Sequence, residues 1–431
     1  MKVSILTMFN GLSSTYSLVN VVAEEIKMLL SDNIEVSILV TEHCPDKEKV
    51  GIFLDPRIKW IKIINSRNNK VFNWRTYSKD NNIVHKSFYK EVSLIKKDFI
   101  KYLSSSDICI MHDILYQGTH LIHNVAIRKA QKYLPKLQFI SLSHSAPIPH
   151  IKTKYPISCL YEEMPNTTYI YPTQVGLDAI SKQYNTSINN CYCINNSIDT
   201  LESKNEEVNI IKKHINMYAD ILIVYPARLT MSKRFHIITL LASYIKKYSK
   251  KTVSIIFCDF ESSDIPSNTY KYIIKDIGKQ NGLEETDILF TSDIGFNNGV
   301  KRETVYELFT FSNLYICPSY SESFGLTVIE AASKGNFIVL NEAVPALKEI
   351  GSTINAYFMR WNARCFTYDT FEKYLPSERL YYIDNTNKII NLMDNNPVIK
   401  AKTLSRIRYS NKWIYENQLK PLLNKLYKKS L

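Results

Sequence analysis

Apolar positions along the chain alternate between two patterns. "KVSILTMF" near the start is a short apolar run that reads as a first strand. Leu18, Val22, Ile26, Leu29 and Leu30 then recur at the spacing of one helix face. "IEVSILVT" follows as a β-branched strand. Strand, helix and strand in that order make a βαβ unit with parallel strands. "WIKIIN", "DICIMHD", "QFISLSH" and "TYIYPT" extend the same sheet. The stretch 66–103 is a lysine- and aromatic-bearing insertion ending in a helix, with Phe88, Val92, Ile95 and Phe99 on one face.

The pattern restarts in the second half. "DILIVYPARL", "VSIIFCDF", "DILFTS", "NLYICPS" and "FIVLNE" are five further strands separated by helical stretches. Two α/β halves predict two Rossmann-like domains with a cleft between their sheets. The expected division is 1–203, 204–395 and a helical tail 396–431 packing back across the domains, with "NNSIDTLESKNEEVN" as linker. In the tail, Trp413, Leu419, Leu422, Leu423 and Leu426 would dock a long helix on a domain.

Composition narrows the class. A chain of 431 residues, 45% hydrophobic and 22% charged, can bury large cores. No apolar run approaches the roughly 20 residues that span a bilayer, and the start reads as a first strand rather than a signal peptide. Eight scattered cysteines without a CxxC pair argue for reduced thiols in a cytoplasmic protein, not a zinc site or disulfide framework. The net charge of +13 suits a polyanionic partner, although the abundance of Lys, Asn, Ile and Tyr is also what an AT-rich genome produces.

Chemistry concentrates at two junctions of the second half. "PSYSESFGLTVIEAASKG" runs from a strand end through a turn into a helix closed by Gly335. The amides of Phe324, Gly325, Leu326 and Thr327 would open that helix, where unpaired N–H groups and the helix dipole favour phosphate. Glu322 precedes the helix and Glu330 lies within it. From spacing alone the plainer reading, a solvated loop carboxylate and a surface helix carboxylate, is the favoured one. "YPARLTMSKRFHIITLL" changes the balance by placing Arg228 just past a strand and Lys233 at a helix start. Two cations at the carboxyl ends of strands would meet a diphosphate.

In this order, R-x4-K and then P-S-x-x-E-x-F-G-x-x-x-x-E, the pieces resemble the donor domain of GT-B glycosyltransferases, and most closely glycosyltransferase family 4 with its E-x7-E motif. The opening strand, loop, helix and strand are similar to that family's, and "CINNSIDT" resembles its V-I-P-N-G-V-D segment, with Asn196 and Asp199 matching. "LSHSAP" stands where those enzymes carry a histidine beside the sugar. The resemblance implies a retaining, metal-independent hexosyl- or pentosyltransferase that takes a nucleotide-diphosphate sugar, a UDP-sugar first, as co-substrate and needs no cofactor. Glu322 would bind hydroxyls of the donor sugar, and Glu330 the ribose. Arg228, Lys233 and the Phe324–Thr327 amides would stabilise the departing diphosphate. His144 would contact the sugar or support oxocarbenium-like charge through its backbone carbonyl, Gly11 would allow close approach of the acceptor or phosphate, and Asn196 would lie at the donor site. The family's front-face substitution is expected, with the leaving phosphate helping to deprotonate the acceptor.

Departures from the pattern fall in "FNGLSS", in "VSIIFCDFESS" and in "NFIVLNEAVPALKEI", each short of the usual glycines. They leave the charged groups intact and point to an unusual donor or acceptor pocket. The acceptor reads as a glycan or lipid-linked precursor. The alternative is duplex DNA carrying hydroxylated bases, after a weaker likeness to bacteriophage glycosyltransferases, with Trp74, Arg75 and Tyr77 helping to extrude a base in a host-cell cytoplasm. The helix in "KSFYKEVSLIKKDFIKYL" could also rest on an anionic membrane, or its apolar face could be core. A non-catalytic sugar-nucleotide or nucleic-acid binding protein is a third reading. His112, Asp113, His120 and His123 in "MHDILYQGTHLIHN" belong to a strand end and a helix face rather than to a metal site.

Overall fold

The computed structural model describes residues 1–64, 86–145, 152–261, 266–365, 368–370 and 378–431. Trp74, Arg75 and Tyr77, with the Ala146 and Pro147 of "LSHSAP", lie outside them. The chain divides into two compact units, Met1–Asp199 with Tyr409–Leu431, and Thr200–Arg408. Each is a parallel-sheet α/β unit, which with the terminal helices is the expected fold class.

In the first unit, β1 (Lys2–Leu6), β2 (Glu35–Thr41), β3 (Ile58–Ile63), β4 (Ile108–His112), β5 (Gln138–Leu142), β6 (Thr167–Tyr171) and β7 (Cys191–Cys193) form one sheet in the order β3-β2-β1-β4-β5-β6-β7. Every neighbouring pair is parallel. β4 and β5 are buried at every position, which is why they read as unbroken apolar runs. β7 has three residues and no such signature.

Helices cover both faces of this sheet. On one side α1 (Ser17–Ser31) packs Leu18, Val22, Ile26 and Leu29 into a core shared with Ile414, Tyr415, Leu419, Leu422, Leu423 and Leu426 of the C-terminal segment. The other side takes α2 (Lys86–Leu103) and α3 (Leu121–Gln131). Phe88, Val92, Ile95, Phe99 and Leu103 are fully buried there. The apolar face of α2 is therefore core and is not offered to a membrane. Among the described residues no helix is long and apolar enough to cross one. α4 (Leu177–Tyr184) precedes β7.

The second unit begins with α5 (Glu206–Ile211), capped by Asn205 inside the stretch expected to be a linker. Its sheet runs β10-β9-β8-β11-β12-β13. The strands are β8 (Ile221–Arg228), β9 (Val253–Phe260), β10 (Ile288–Phe290), β11 (Leu314–Cys317), β12 (Phe337–Asn341) and β13 (Tyr357–Met359), all parallel. Between them come α6 (Phe235–Ser249), α7 (Ser267–Gln280), α8 (Arg302–Phe311), α9 (Leu326–Ser333) and α10 (Pro345–Thr353). A short antiparallel ribbon, β14 (Ala363–Cys365) and β15 (Tyr368–Thr370), follows β13. It is succeeded by α11 (Glu378–Asn395) and α12 (Pro397–Arg408).

The chain then returns to the first unit through α13 (Asn411–Ile414), a π-helical turn Tyr415–Leu419 and α14 (Lys420–Ser430). Polar ties hold it there: Asn195 N–H donates to Gln418 Oε1 at 2.7 Å, Gln418 Nε2 to Asn195 Oδ1 at 2.8 Å, and Tyr415 OH to Asp32 at 2.8 Å. The seven cysteines with described side chains are free thiols, six of them buried.

Candidate functional site

In an open parallel sheet, neighbouring strands whose connections leave in opposite directions open a crevice at their carboxyl ends. Each sheet has one such point, between β1 and β4 and between β8 and β11. The sequence motifs gather at both.

In the second unit, β8 delivers Arg228 as its last, exposed residue, and the chain turns through Met231–Lys233 before α6. β11 delivers the loop Pro318–Gly325. Tyr320 N–H donates to Ser232 O at 2.8 Å and locks the two loops together. Tyr225 OH, from within β8, donates to Lys233 O at 3.0 Å and lies 3.3 Å from Ser319 Oγ. Burial pushes the phenols of Tyr225 and Tyr315 well up, so both remain neutral hydrogen-bonding groups.

The consequence is a direct contact across 89 positions of sequence, Lys233 Nζ to Glu322 Oε1 at 2.5 Å. Both side chains are partly exposed, 28% for Lys233 and 17% for Glu322, so solvent and ligands reach them. Lys233 thus lies in the turn that leads into α6. Next to it Arg234 adopts φ 54°, a left-handed conformation that is costly for a side-chain-bearing residue. Its guanidinium compensates, donating to Asn362 O at 2.6 Å and Asn362 Oδ1 at 2.7 Å and lying 4.8 Å from the Tyr320 ring centre. Arg234 was not among the expected site residues, although a cation adjacent to Lys233 was visible. The Arg228 side chain makes no hydrogen bond or ion pair among the described residues.

α9 opens with Gly325 at φ 94°. A side chain there would be strained, and its Cβ would sit 3.1 Å from Leu347 and 3.2 Å from Val328. Val328 N–H is taken by Gly325 O at 3.0 Å, the helix itself supplies no partner to the amides of Leu326 and Thr327, and the Phe324 and Leu326 side chains are exposed. Thr327 is tied down, its hydroxyl 2.6 Å from Tyr315 OH.

Glu330 is no free surface carboxylate. Its Oε1 accepts from Arg302 Nη2 at 2.8 Å, Arg302 Nε at 3.2 Å and Tyr306 OH at 3.1 Å. Arg302 and Tyr306, one turn apart on α8, were missed in the sequence, where nothing marks them as Glu330's partners. The fixed Oε1 leaves Oε2 as the acceptor a ligand can use. Asp259, near the end of β9 in the "VSIIFCDFESS" segment, is buried and spent on the protein. It accepts from Ser292 N–H at 3.0 Å and Ser292 Oγ at 2.5 Å.

His144, Gly11 and Asn196 belong to the first unit. His112 ends β4 and Asp113 follows it at φ 58°, while Met8 after β1 has φ 53°. Two strained non-glycine residues thus flank that switch point, a common mark of a functional site. Asp113 Oδ1 accepts from His144 N–H at 2.8 Å and its Oδ2 from Gln117 at 3.0 Å. Burial pushes the Asp113 carboxyl pKa up, and burial together with nearby His112 pushes His144 down to about 2. His144 Nε2 is 2.9 Å from His112 Nδ1, and His112 Nε2 is 2.7 Å from Glu25 Oε2.

Gly11 has a reason within the protein. Glu48 Oε2 would stand 2.8 Å from a Cβ at this position and accepts Leu12 N–H at 2.7 Å, so the carboxylate occupies a side chain's place. Gly11 also lines a cavity of about 210 Å³ with Thr7, Asn10 and His120. Asn196 is exposed in the loop after β7. Among the described residues no group of three or more His, Cys, Asp or Glu could hold a metal ion. His120 and His123 pair with each other, ring centres 5.6 Å apart.

Residues 208–359 match the family described as glycosyl transferases group 1. They contain β8 through β13 and both motifs of the second unit. No curated protein matches the chain by sequence. Solved structures with a similar fold include a glycosyltransferase from Rickettsia africae at 13% identity, covering 100% of this chain and 98% of that one, with a TM-score of 0.36. Anabaena HepE in complex with UDP is similar at 13% identity over 98% and 100%, TM-score 0.35. A sucrose-phosphate synthase from Thermosynechococcus elongatus is similar at 12% over 99% and 100%, TM-score 0.37.

Proposed function

We propose that this protein is a GT-B glycosyltransferase that moves a sugar, with retention of anomeric configuration, from a nucleotide-diphosphate sugar to a hydroxyl acceptor. The observation that carries the reading is the Lys233–Glu322 contact at the β8/β11 switch point, inside the segment that matches the glycosyl transferases group 1 family. A lone ion pair there would mean little. The exposed Arg228 at the same sheet edge and the opening amides of α9 make it an anion site beside a carboxylate.

The chemistry follows from these groups. Lys233, Arg228 and the first amides of α9 offset the charge that gathers on the diphosphate as the glycosidic bond breaks. Glu322 accepts hydrogen bonds from sugar hydroxyls, and Glu330 Oε2 from the ribose. The site's carboxylates are engaged, Glu322 by Lys233 and Glu330 by Arg302 and Tyr306, which supports front-face departure of the phosphate over a carboxylate nucleophile. No step requires a metal, since the cations supply the positive charge. The acceptor proposed is a glycan or lipid-linked hydroxyl.

The test is a donor and acceptor panel read by mass spectrometry, beginning with UDP-sugars against lipid extracts, oligosaccharides and hydroxymethylated DNA. Transfer with retained anomeric configuration supports the proposal. Nucleotide-sugar binding without hydrolysis or transfer would make the chain a binding module, and transfer to DNA would replace the acceptor.

A further inference from the structure

The first unit buries a carboxylate that nothing above uses. Glu25 lies on the inner face of α1, in phase with Leu18, Val22 and Leu29, and is 4% exposed. It meets His112, which is fully buried, and among the described residues neither Glu25 oxygen nor His112 Nε2 has an aligned hydrogen bond despite their 2.7 Å separation. The other charged residues nearby on α1, Glu24 and Lys27, pair with each other at 2.7 Å. Asp113 is committed to the His144 backbone and to Gln117.

We propose that Glu25 and His112 are positioning residues that hold the ring hydrogen of His144 on Nδ1, making His144 a hydrogen-bond donor to a ligand oxygen such as a sugar hydroxyl. The argument is one of charge. A net charge buried without donors is strongly disfavoured, so the Glu25–His112 pair stays neutral overall. Three arrangements do this. In the first, carboxylate faces imidazolium, with hydrogen on both ring nitrogens. In the second, the carboxyl keeps its hydrogen toward Nε2 and the neutral ring carries its own on Nδ1. In the third, the ring hydrogen is on Nε2 and the carboxyl hydrogen on Oε1, which has no partner among the described residues; a buried O–H without an acceptor disfavours it. The first two place N–H on His112 Nδ1. Hydrogen on Nε2 facing an ionised carboxylate leaves the pair negative.

His112 Nδ1 therefore donates to His144 Nε2. The rings are 8° from parallel with centres 5.2 Å apart, which is one hydrogen bond plus two ring radii. They lie edge to edge, in line for that bond, rather than face to face. Neutral His144, accepting at Nε2, must carry its hydrogen on Nδ1, and Asp113 holds its backbone in place. Such a histidine donates to oxygen but neither takes nor supplies the proton of a reaction. The ligand class rests on the glycosyltransferase reading, whereas the position of the hydrogen does not.

The full chain with 15N-labelled histidine tests this by two-bond proton–nitrogen correlation, with His144 assigned through His144→Gln. Wild type should show a single neutral Nδ1–H ring at His144. Glu25→Leu should collapse that signal into exchanging tautomers while turnover of a nucleotide sugar falls about tenfold, the value of one hydrogen bond. Should that variant not fold, His112→Phe must lose the Nδ1–H signature and His112→Asn, whose amide replaces the Nδ1 donor, must keep it. Hydrogen on Nε2 in the wild type, or a Glu25→Leu (or His112→Phe) spectrum identical to wild type, overturns the proposal. If the spectra behave as expected but no nucleotide sugar is turned over, the glycosyltransferase reading fails instead.

Discussion

Replacing Lys233 with Met should weaken nucleotide binding, and replacing Glu322 with Gln should not. The two side chains meet at 2.5 Å with 28% and 17% exposure. Their mutual contribution to stability falls between the range for exposed pairs, about 0.2–1 kcal/mol, and the larger cost of breaking a buried one. We expect about 1 kcal/mol, seen as a small drop in the urea midpoint. Binding of UDP is another matter. A charge-assisted contact to phosphate contributes about 1.5–3 kcal/mol, so Lys233→Met should weaken UDP binding roughly 10- to 150-fold in calorimetry. Glu322→Gln removes the carboxylate that competes with phosphate for the same ammonium, so UDP binding should stay equal or tighten. Turnover in both variants should fall about a hundredfold or more, the loss expected when a group acting on the transition state is removed. Raising salt should shrink the Lys233 effect. UDP affinity within twofold of wild type in Lys233→Met, with turnover intact, would refute the placement of diphosphate at this pair.

Arg302→Ala should weaken UDP binding severalfold, because Glu330 loses the guanidinium that fixes its carboxylate, while 2′,3′-dideoxy-UDP should bind both proteins alike. Gly325→Ala should cost about 1–3 kcal/mol in urea unfolding, given φ 94° and Leu347 3.1 Å from the new methyl. The urea midpoint should fall between pH 7.5 and 9.5. Burial pushes the thiols of Cys109, Cys159, Cys258 and Cys317 up, so above pH about 9 the unfolded chain loses protons that the folded chain keeps, and stability declines with pH. Lys402, lowered to about 8 by burial, works in the opposite direction and reduces the fall without reversing it. Leu423→Ala should cost about 2–5 kcal/mol and speed amide exchange in α14 and α1, whose side chains share one core.

Much of the architecture is local and so was legible along the chain. β1, β2, β4, β5, β8 and β9 are buried on both faces, and a strand in that position has to be a run of apolar residues wherever it later lies. β7 and β13 escaped notice because they are three residues long and only partly buried, unlike the equally short but fully buried β10, and the β14–β15 ribbon is as short. The motif residues Arg228, Lys233, Glu322 and Glu330 were readable by spacing, but their partners were not. Arg302 precedes Glu330 by 28 positions and carries no sign of the contact. Glu25 had a signal, a carboxylate in phase with the apolar face of α1, and it passed as ordinary helix.

The amino-acid order therefore determined which segments are strands and helices, and which loops hold charge at strand ends, because those properties depend on a few neighbouring residues. Only the tertiary structure decided who meets whom. Placing β11 beside β8 brought Lys233 to Glu322, and packing α1 across β4 set Glu25 on His112. Strand order and helix packing come from the fit of whole buried faces, a property of distant segments together that no single stretch contains.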